Sequence, residues 1–329
     1  MEDKKVVLSV KDLNVKFTLR GQVLHAIRGI SLDVYQGESL AIVGESGSGK
    51  SVFVKCAMGL LDANGFIDGG SILYNGMDLT KFQTDKDWLK IRGKEIAMVF
   101  QDPMTSLNPL KTIGKQIQEA VELHQGLKGK DAYKAVLEVL SDVGIDDPER
   151  RYKQYPHEFS GGMRQRVVIA IAVACRPKIL ICDEPTTALD VTIQAQILEL
   201  MKQLREKFNT SVMLITHDLG VVAQFCDSVS VVYAGRVVEY GPVEIVFQRK
   251  ENHPYTAGLF NCIPNLHDDQ PRLHPIAGHM ADPRVEYKGC CFADRCEYAT
   301  ERCRTEAPSM HVCGEHGILC HRYAEKEEF

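Results

Sequence analysis

The chain has 329 residues, enough for about two domains of ~150 residues and too many for a small disulfide-stapled scaffold. Hydrophobic residues make up 44% and charged residues 25%, which excludes collagen-like chains and intrinsic disorder. The net charge of -5 offers no general attraction for nucleic acid or anionic lipid.

Nothing in the sequence predicts a membrane span or a secretory signal. The longest wholly apolar run, from Val167 to Cys175, has nine residues, whereas a membrane-spanning helix needs about 20. The charged start from Met1 to Lys5 is not followed by the apolar segment and cleavage site of a secretory signal. We therefore expect a cytoplasmic protein.

The hydrophobic pattern predicts an α/β core. Alternation between residues 6 and 43 indicates strands, the last of them over 39–43, and a packed helix follows over 51–61. Short apolar runs without alternation are typical of central parallel strands covered on both faces, and they occur at 96–100, 179–182 and 211–216.

Two further regions differ from this core. Helical periodicity at 113–123 and 131–143 predicts a helical insertion at roughly 104–160. Beyond Gly241 and Pro242, prolines and cysteines accumulate, which predicts an irregular appendage that does not continue the sheet. The predicted domains are therefore 1–245 and 246–329.

A glycine-rich segment between the strand at 39–43 and the helix at 51–61 fits the phosphate-loop pattern G-x-x-x-x-G-K-[ST]. Its glycines let backbone N–H groups surround phosphate oxygens, and the helix start adds its dipole. Lys50 is expected at the β and γ phosphates, and Ser51 at Mg²⁺. The alternative is a glycine-rich turn before a helix. The predicted nucleotide-binding residues of the loop are Gly44, Glu45, Ser46, Gly47, Ser48, Gly49, Lys50 and Ser51.

Two more segments carry chemistry that suits a nucleotide. Asp183 and Glu184 end a predicted strand, where Asp183 suits the Mg²⁺ shell and Glu184 suits a general base for the attacking water. Ser160, Gly161 and Gly162 begin a second apolar helix and form another possible anion site. The alternative is a helix cap or a solvated turn for the carboxylate pair, and an ordinary helix cap for the second segment. Two phosphate-recognising helix ends in one chain suggest a site shared between two chains.

Six motifs follow one another along the chain: the phosphate loop, Gln101 after a strand, residues 159–163, Asp183 with Glu184, residues 188–190, and His217. Their order is that of ABC-transporter ATPases, which residues 6–245 resemble. The resemblance implies a RecA-like core with an antiparallel β subdomain and an α-helical subdomain, and two such chains facing each other head to tail. It further implies that Ser160 and Gly162 act on the partner's nucleotide, although Phe159 and Met163 depart from the common Leu-Ser-Gly-Gly-Gln signature. The resemblance also assigns four more residues. Phe17 would stack on adenine, with Tyr35 as a rival candidate, and Asp190 would lie beside the nucleotide. Gln101 would sense Mg²⁺ and contact the permease, and His217 would act at the γ-phosphate.

A narrower resemblance, to the ATP-binding subunits of oligopeptide, dipeptide and nickel importers, comes from residues 100–109, 252–256 and 289–296. In that family four cysteines of the extension ligate an iron-sulfur cluster in some members. Here Cys290, Cys296, Cys303 and Cys320 fit, and four thiolates are the usual ligands of a [4Fe-4S] cluster. Zinc takes the same ligands, unliganded thiols are a third possibility, and Cys291 or Cys313 can replace a neighbour.

The resemblance implies an ATP-hydrolysing, energy-coupling subunit of an importer, with ATP and Mg²⁺ as ligands. The implied partners are a second ABC ATPase, two permease chains and an extracytoplasmic binding protein at the membrane, with no nucleic acid. Peptides are the expected cargo and nickel is the alternative. A soluble ABC ATPase acting on DNA or ribosomes is a third candidate, disfavoured by the single phosphate loop. We also expect the cluster to be structural and remote from the ATP site.

Overall fold

The computed structural model describes residues 5–187, 189–248, 250–262 and 275–324. Its strands are β1 (Val6–Leu19), β2 (Gln22–Tyr35), β3 (Ser39–Val43), β4 (Gly65–Tyr74), β5 (Met77–Asp78), β6 (Ile96–Val99), β7 (Ile179–Asp183), β8 (Ser211–Thr216), β9 (Ser228–Tyr233), β10 (Arg236–Pro242), β11 (Met310–Cys313) and β12 (His316–Leu319). Its helices are α1 (Lys50–Ala57), α2 (Asp85–Trp88), α3 (Pro103–Ser106), α4 (Ile113–Gln125), α5 (Gly129–Asp142), α6 (Pro148–Arg151), α7 (Gly161–Val173), α8 (Val191–Phe208), α9 (Leu219–Phe225), α10 (Val243–Phe247), α11 (Pro254–Asn261) and α12 (Glu301–Thr305). None of the helices in the described ranges is both long and apolar enough to cross a membrane.

The chain divides into two compact units, and the first comprises residues 1–5, 35–39 and 82–214. In it β6 and β7 pair in parallel, with Ile96 opposite Ile179 and Val99 opposite Cys182. Nearly every residue of these two strands is buried, as expected for apolar runs without alternation. The parallel strands predicted at these two positions are therefore confirmed.

Helices surround α7 in this first unit. Helix α7 packs against α4 and α5, which lie in the segment predicted as a helical insertion. Arg166 Nη1 donates a hydrogen bond to the carbonyl oxygen of Val143 over 2.8 Å, and Gln125 Nε2 donates to the carbonyl oxygen of Ala174 over 2.7 Å. Both bonds satisfy carbonyls at helix ends, which have no partner within their own helix.

The second unit comprises residues 6–34, 40–81 and 215–329. Its four-stranded sheet has the order β2-β1-β4-β5, with β4 antiparallel to both β1 and β5. Strand β3 pairs in parallel with β9, with Leu40 opposite Ser228. A tight turn through Ala234 and Gly235, whose φ angles are 47° and 75°, joins β9 to the antiparallel β10.

The C-terminal extension continues this sheet, so the prediction that it does not is wrong. Strand β12 pairs antiparallel with β10, with Glu239 opposite Ile318, and β11 then pairs with β12. The two added strands have only four residues each and contain His, Cys and Gly. Such short strands show no clear alternation of apolar residues, and the signal for a sheet is lost.

A buried carboxylate joins distant parts of the extension. Glu239 is fully buried and lies 2.8 Å from each of three nitrogen atoms, which are Nδ2 of Asn252, the backbone N of His253 and Nε2 of His316. The hydroxyl of Tyr323 in turn donates to the carbonyl oxygen of Asn252 over 2.8 Å. A buried carboxylate is tolerated only when it is paired and hydrogen-bonded in this way.

The extension also contributes to the apolar core of its unit. Tyr255, Phe260, Phe292 and Tyr323 are all buried, and the Tyr255 ring lies 4.7 Å from that of Tyr233 on β9, centroid to centroid. Although its composition is rich in proline, the extension therefore packs through a few large aromatic side chains. The predicted boundary between residues 245 and 246 stays a prediction.

We expect His253 to make the protein less stable in mild acid. Burial lowers the pKa of His253 to about 3, and its Nδ1 accepts a hydrogen bond from the backbone N–H of Tyr255, which a protonated ring cannot do. Between pH 6.5 and 3 the unfolded chain therefore binds a proton that the folded chain does not, and stability falls as the pH falls.

His253→Asn is the matched control, because asparagine caps a helix start without titrating. Between pH 7 and 5 the free energy of unfolding should fall by about 2 kcal/mol more in the wild type than in this variant. Urea denaturation followed by circular dichroism measures this difference. Parallel pH profiles for the two proteins would contradict the assignment.

Candidate functional site

The glycine-rich loop between β3 and α1 has a backbone that only glycine allows at two positions. Gly44 has φ 155°, and a Cβ there would lie 2.2 Å from the carbonyl oxygen of Val232. Gly49 has φ 106°, and a Cβ there would lie 2.8 Å from the carbonyl oxygen of Ala26. The loop is thus packed tightly between neighbouring backbones, which explains why its pattern tolerates no side chain at these positions.

Polar atoms of the loop suit a phosphate ligand. Lys50 Nζ donates hydrogen bonds to the carbonyl oxygens of Gly44 over 2.6 Å and Glu45 over 2.9 Å, which keeps the ammonium group at the loop. Ser48 Oγ is buried, and within the described chain it has no hydrogen-bond partner. Ser51 is an exposed residue of the first turn of α1. A buried hydroxyl, an ammonium and a helix start together fit phosphate oxygens.

The aromatic residue predicted to stack on adenine lies in the same unit. Phe17 is half-buried on β1 and stands opposite Gly65 of β4. A Cβ on Gly65 would lie 2.6 Å from the Phe17 ring, so the ring covers that glycine. Tyr35, the rival candidate, is the half-buried last residue of β2. Stacking on adenine stays a prediction for Phe17.

In the first unit the structure brings Gln101 and Glu184 together. Asp183 is the half-buried last residue of β7, and Glu184 follows it with φ 46°, a left-handed conformation that is uncommon outside glycine and clusters at functional sites. Glu184 Oε2 accepts hydrogen bonds from Gln101 Nε2 over 3.1 Å and from Thr187 Oγ1 over 3.0 Å. The carboxylate predicted as the general base is therefore held by two neighbouring side chains.

The second predicted anion site lies at the start of α7, in the first unit. Ser160 caps this helix by accepting the Met163 N–H over 3.4 Å, and Asp190 caps α8 by accepting the Ile193 N–H over 3.0 Å. A Cβ on Gly162 would lie 2.7 Å from Ile193 Cγ2, whereas Gly161 faces open space. Both helix starts therefore meet at Ile193.

His217, in the second unit, is exposed and directly follows β8. The next residue, Asp218, caps α9 by accepting the N–H groups of Gly220 and Val221 over 2.8 Å and 3.3 Å. Its neighbour thus fixes the backbone beside His217. The predicted role of His217 at the γ-phosphate stays a prediction.

The four cysteines predicted as cluster ligands line one cavity. Cys290, Cys296, Cys303 and Cys320 surround it together with Phe292 and other residues of the extension. Cys291 and Cys313 are not part of its lining as far as the described residues go. No three His, Cys, Asp or Glu side chains within the described ranges are arranged so that they could hold a metal ion.

The environment of these thiols opposes an uncompensated negative charge. Burial raises the pKa of Cys290 to about 12, and the nearby Cys291, Cys320 and Cys303 act in the same direction. Burial likewise raises the pKa values of Cys296 and Cys320. Four thiolates in this cavity would therefore need a bound cation or cluster.

Tyr255 and Arg295 contact the phosphate loop, which the sequence did not indicate, although both lie in segments that carry the narrower resemblance. The Glu45 N–H donates to the hydroxyl of Tyr255 over 2.8 Å, and the Glu45 carboxylate pairs with Arg295 over 2.7 Å. Residues of the extension therefore contact the phosphate loop directly, whereas the expectation that the cluster itself lies some distance from the ATP site stays a prediction. A separation of more than 200 residues along the chain leaves no periodic signal by which such contacts could be found.

Comparisons with known proteins agree with these motifs. Residues 27–187 match the family profile described as "ABC transporter", and residues 238–303 match "Oligopeptide/dipeptide transporter, C-terminal region". The chain is 51% identical to the oligopeptide transport ATP-binding protein AmiE of Streptococcus pneumoniae, over 99% of this chain and 93% of that protein. The chain belongs to the ABC-transporter ATP-binding proteins of the oligopeptide/dipeptide family.

Other family members and solved structures fit the same assignment. The dipeptide transport ATP-binding protein DppD of Bacillus subtilis is 50% identical over 95% of this chain and 94% of its own length. The dimeric post-hydrolysis structure of the ATP-binding cassette MJ0796, bound to ADP and phosphate, has a TM-score of 0.63 and 28% identity, covering 72% of this chain and 98% of that one. The predicted RecA-like ABC ATPase fold is confirmed, and the protein is an ATPase of this family.

Proposed function

We propose that the protein is the energy-coupling ATPase of an importer for dipeptides or oligopeptides. The observation that carries the proposal is the similarity to peptide-transport ATP-binding proteins over almost the whole chain, extension included. A nickel importer is the alternative that the sequence left open. Relatives named for peptide transport favour peptides.

Each residue of the site has a proposed role in ATP hydrolysis. The loop Gly44–Glu45–Ser46–Gly47–Ser48–Gly49 holds phosphate oxygens, and Lys50 neutralises charge on the β and γ phosphates. Ser51, Asp183 and Gln101 supply the oxygen ligands that would hold Mg²⁺, which neutralises phosphate charge when bound. Glu184 accepts the proton of the attacking water, and its hydrogen bonds to Gln101 and Thr187 fix the carboxylate for that task.

The site is proposed to be completed by a second ATPase chain. A helix begins at Ser160, Gly161 and Gly162, and a Cβ on Gly161 would meet open space. Backbone N–H groups at such a helix start suit a phosphate. We propose that it binds the nucleotide of a partner cassette, in a heterodimer with a related ATPase. ATP binding then closes the dimer and hydrolysis opens it again. Two permease chains and an extracytoplasmic binding protein complete the transporter, with this subunit on the cytoplasmic face of the membrane.

We expect the isolated chain to hydrolyse ATP slowly, because its own nucleotide lacks the helix start of a partner. Phosphate release per chain should rise when the partner ATPase and permeases are co-expressed, and Ser160→Ala should reduce this rise. Ser309→Ala, a serine of the extension, serves as the control. Full-rate hydrolysis that does not depend on concentration, from a chain shown to be monomeric, would contradict the shared site.

The cargo is tested by transport. Cells that lack this subunit should lose uptake of a radiolabelled tripeptide and recover it with the wild-type chain but not with Lys50→Ala. Uptake of ⁶³Ni²⁺ should be the same in all three strains. Loss of nickel uptake with normal peptide uptake would reverse the assignment. Purification without any membrane protein would favour the soluble alternative.

For the cavity we propose a [4Fe-4S] cluster held by Cys290, Cys296, Cys303 and Cys320. Four cysteines around one buried cavity provide the ligand set that such a cluster uses. A tetrahedral zinc ion would instead draw four sulfur atoms to about 3.8 Å from one another. When bound, the cluster would link distant parts of the extension.

A further inference from the structure

The C-terminal extension holds the phosphate loop at its second residue. Arg295 binds the Glu45 carboxylate with two parallel hydrogen bonds, from Nη1 to Oε2 over 2.7 Å and from Nη2 to Oε1 over 3.1 Å. The backbone N–H of the same Glu45 donates to the hydroxyl of Tyr255 over 2.8 Å. Both the backbone and the side chain of Glu45 are therefore fixed by residues of the extension.

Neither of these two residues is a mobile surface side chain. The Arg295 side chain is only 4% exposed, and it also donates to the carbonyl oxygens of Ala277 over 2.9 Å and Ile276 over 3.2 Å. The ring of Tyr255 is fully buried. Because these groups are already immobilised, their hydrogen bonds to the loop cost little further entropy.

The contact also changes the charge at the phosphate loop. An unpaired Glu45 carboxylate would stand within a loop that must accept the highly negative phosphates of ATP, and like charges at short range repel. The bidentate pair with Arg295 neutralises this carboxylate. The guanidinium therefore removes an electrostatic penalty from nucleotide binding.

The same arginine adjoins the cysteine-lined cavity. Arg295 directly precedes Cys296, and its guanidinium lies 5.9 Å from the ring centroid of Phe292, which lines that cavity. The Phe292 ring lies 5.5 Å from that of Tyr255, centroid to centroid. Phe292, a residue of the cavity lining, therefore lies beside both residues that hold the loop.

We propose that Arg295 and Tyr255 are positioning residues for the phosphate loop, and that the state of the cysteine-lined cavity thereby sets nucleotide affinity. The inference rests on the proposed roles of the phosphate loop and of the four cysteines. It assigns the extension a part in ATP binding, beyond a structural one.

The test measures binding of a fluorescent ATP analogue and of ADP to the full-length protein purified without oxygen. Arg295→Met should weaken ATP binding on the order of tenfold, because it leaves Glu45 charged. Arg295→Lys should recover part of this loss, since lysine keeps the charge but not the bidentate geometry. The double variant Glu45→Gln/Arg295→Met should recover most of it. Tyr255→Phe removes the hydrogen bond to Glu45 but no charge, so it should weaken the binding of ATP and of ADP by the same factor.

Controls separate the contact from a loss of folding. Arg284→Met removes an exposed arginine of the extension that pairs with Asp282, and it should leave both affinities unchanged. Iron content and circular dichroism should match the wild type in every arginine and tyrosine variant. Recovery in the double variant is an effect that general unfolding cannot produce.

The possible failures are distinguishable. If Lys50→Ala leaves ATP affinity unchanged, the phosphate-loop assignment itself is wrong. If Lys50→Ala abolishes binding while Arg295→Met and Tyr255→Phe bind like the wild type, the positioning role is overturned. Cys296→Ser should lose its iron and bind ATP several-fold more weakly. If it loses the iron and keeps wild-type affinity, the link to the cavity is overturned, and if it keeps the iron, the cluster assignment fails.

Discussion

Replacing Glu184 with glutamine is expected to leave ATP binding intact and to lower turnover of the assembled transporter by about 10²–10⁴-fold. Glutamine has nearly the shape of glutamate and still accepts the hydrogen bonds that Gln101 and Thr187 donate to Oε2. It cannot accept the proton of the attacking water. The expected effect is therefore on the chemical step and not on the phosphate loop.

Phosphate release and the affinity for a fluorescent ATP analogue should be measured on the same preparations. Glu138→Gln is a suitable control, because Glu138 is an exposed residue of α5 that pairs with Arg176. It should leave both quantities unchanged. A Glu184→Gln variant that turns over at the wild-type rate would show that another group is the base. One that also loses ATP binding would show that Glu184 shapes the nucleotide site.

The elements predicted most accurately are those whose signal is local. The strand expected at 211–216 is β8 (Ser211–Thr216), since six consecutive buried residues leave a clear apolar run. The glycine-rich loop was predicted from its pattern, and Gly44 shows why that pattern is strict, because a Cβ there would meet the Val232 carbonyl. In such segments the local sequence is enough to predict the backbone conformation.

Contacts between distant segments could not be predicted in this way. Strand β12 pairs with β10, and His316 Nε2 lies 2.8 Å from Glu239 Oε1. The residues around either side chain give no sign of this partner. The same holds for Arg295, which stands in a cysteine-rich segment and yet pairs with Glu45. Such pairs form only when the folded backbone brings distant residues together, so they cannot be predicted from the local sequence or composition.

The choice among six clustered cysteines illustrates both cases. Spacing alone left Cys290 and Cys291 interchangeable, because they are neighbours in the chain. The structure distinguishes them, since Cys290 lines the cavity. Burial raises the pKa of the Cys291 thiol, and the charges of Arg236 and Arg28 partly oppose this shift. Which of two adjacent thiols faces a cavity depends on backbone geometry, and here the Cys290 N–H donates to the carbonyl oxygen of Cys303, another residue of the lining.

Protein purified without oxygen is expected to be brown and to contain about four irons per chain. Cys296→Ser and Cys303→Ser should each remove most of this iron, because each serine replaces a thiolate of the cavity. Without the cluster, the parts of the extension that it joins should separate more readily. Limited proteolysis should then cut faster beyond about residue 285, while the first unit keeps its resistance.

Cys313→Ser is the matched control for iron content, because Cys313 lies in the same extension, on β11, but is not among the cysteines that line the cavity. It should keep about four irons. Metal analysis and the absorption of the cluster in visible light measure both outcomes on the same sample. Stoichiometric zinc without iron would replace the cluster with a tetrahedral zinc site, whereas iron loss in Cys313→Ser and not in Cys296→Ser would show that a different set of thiols binds the metal.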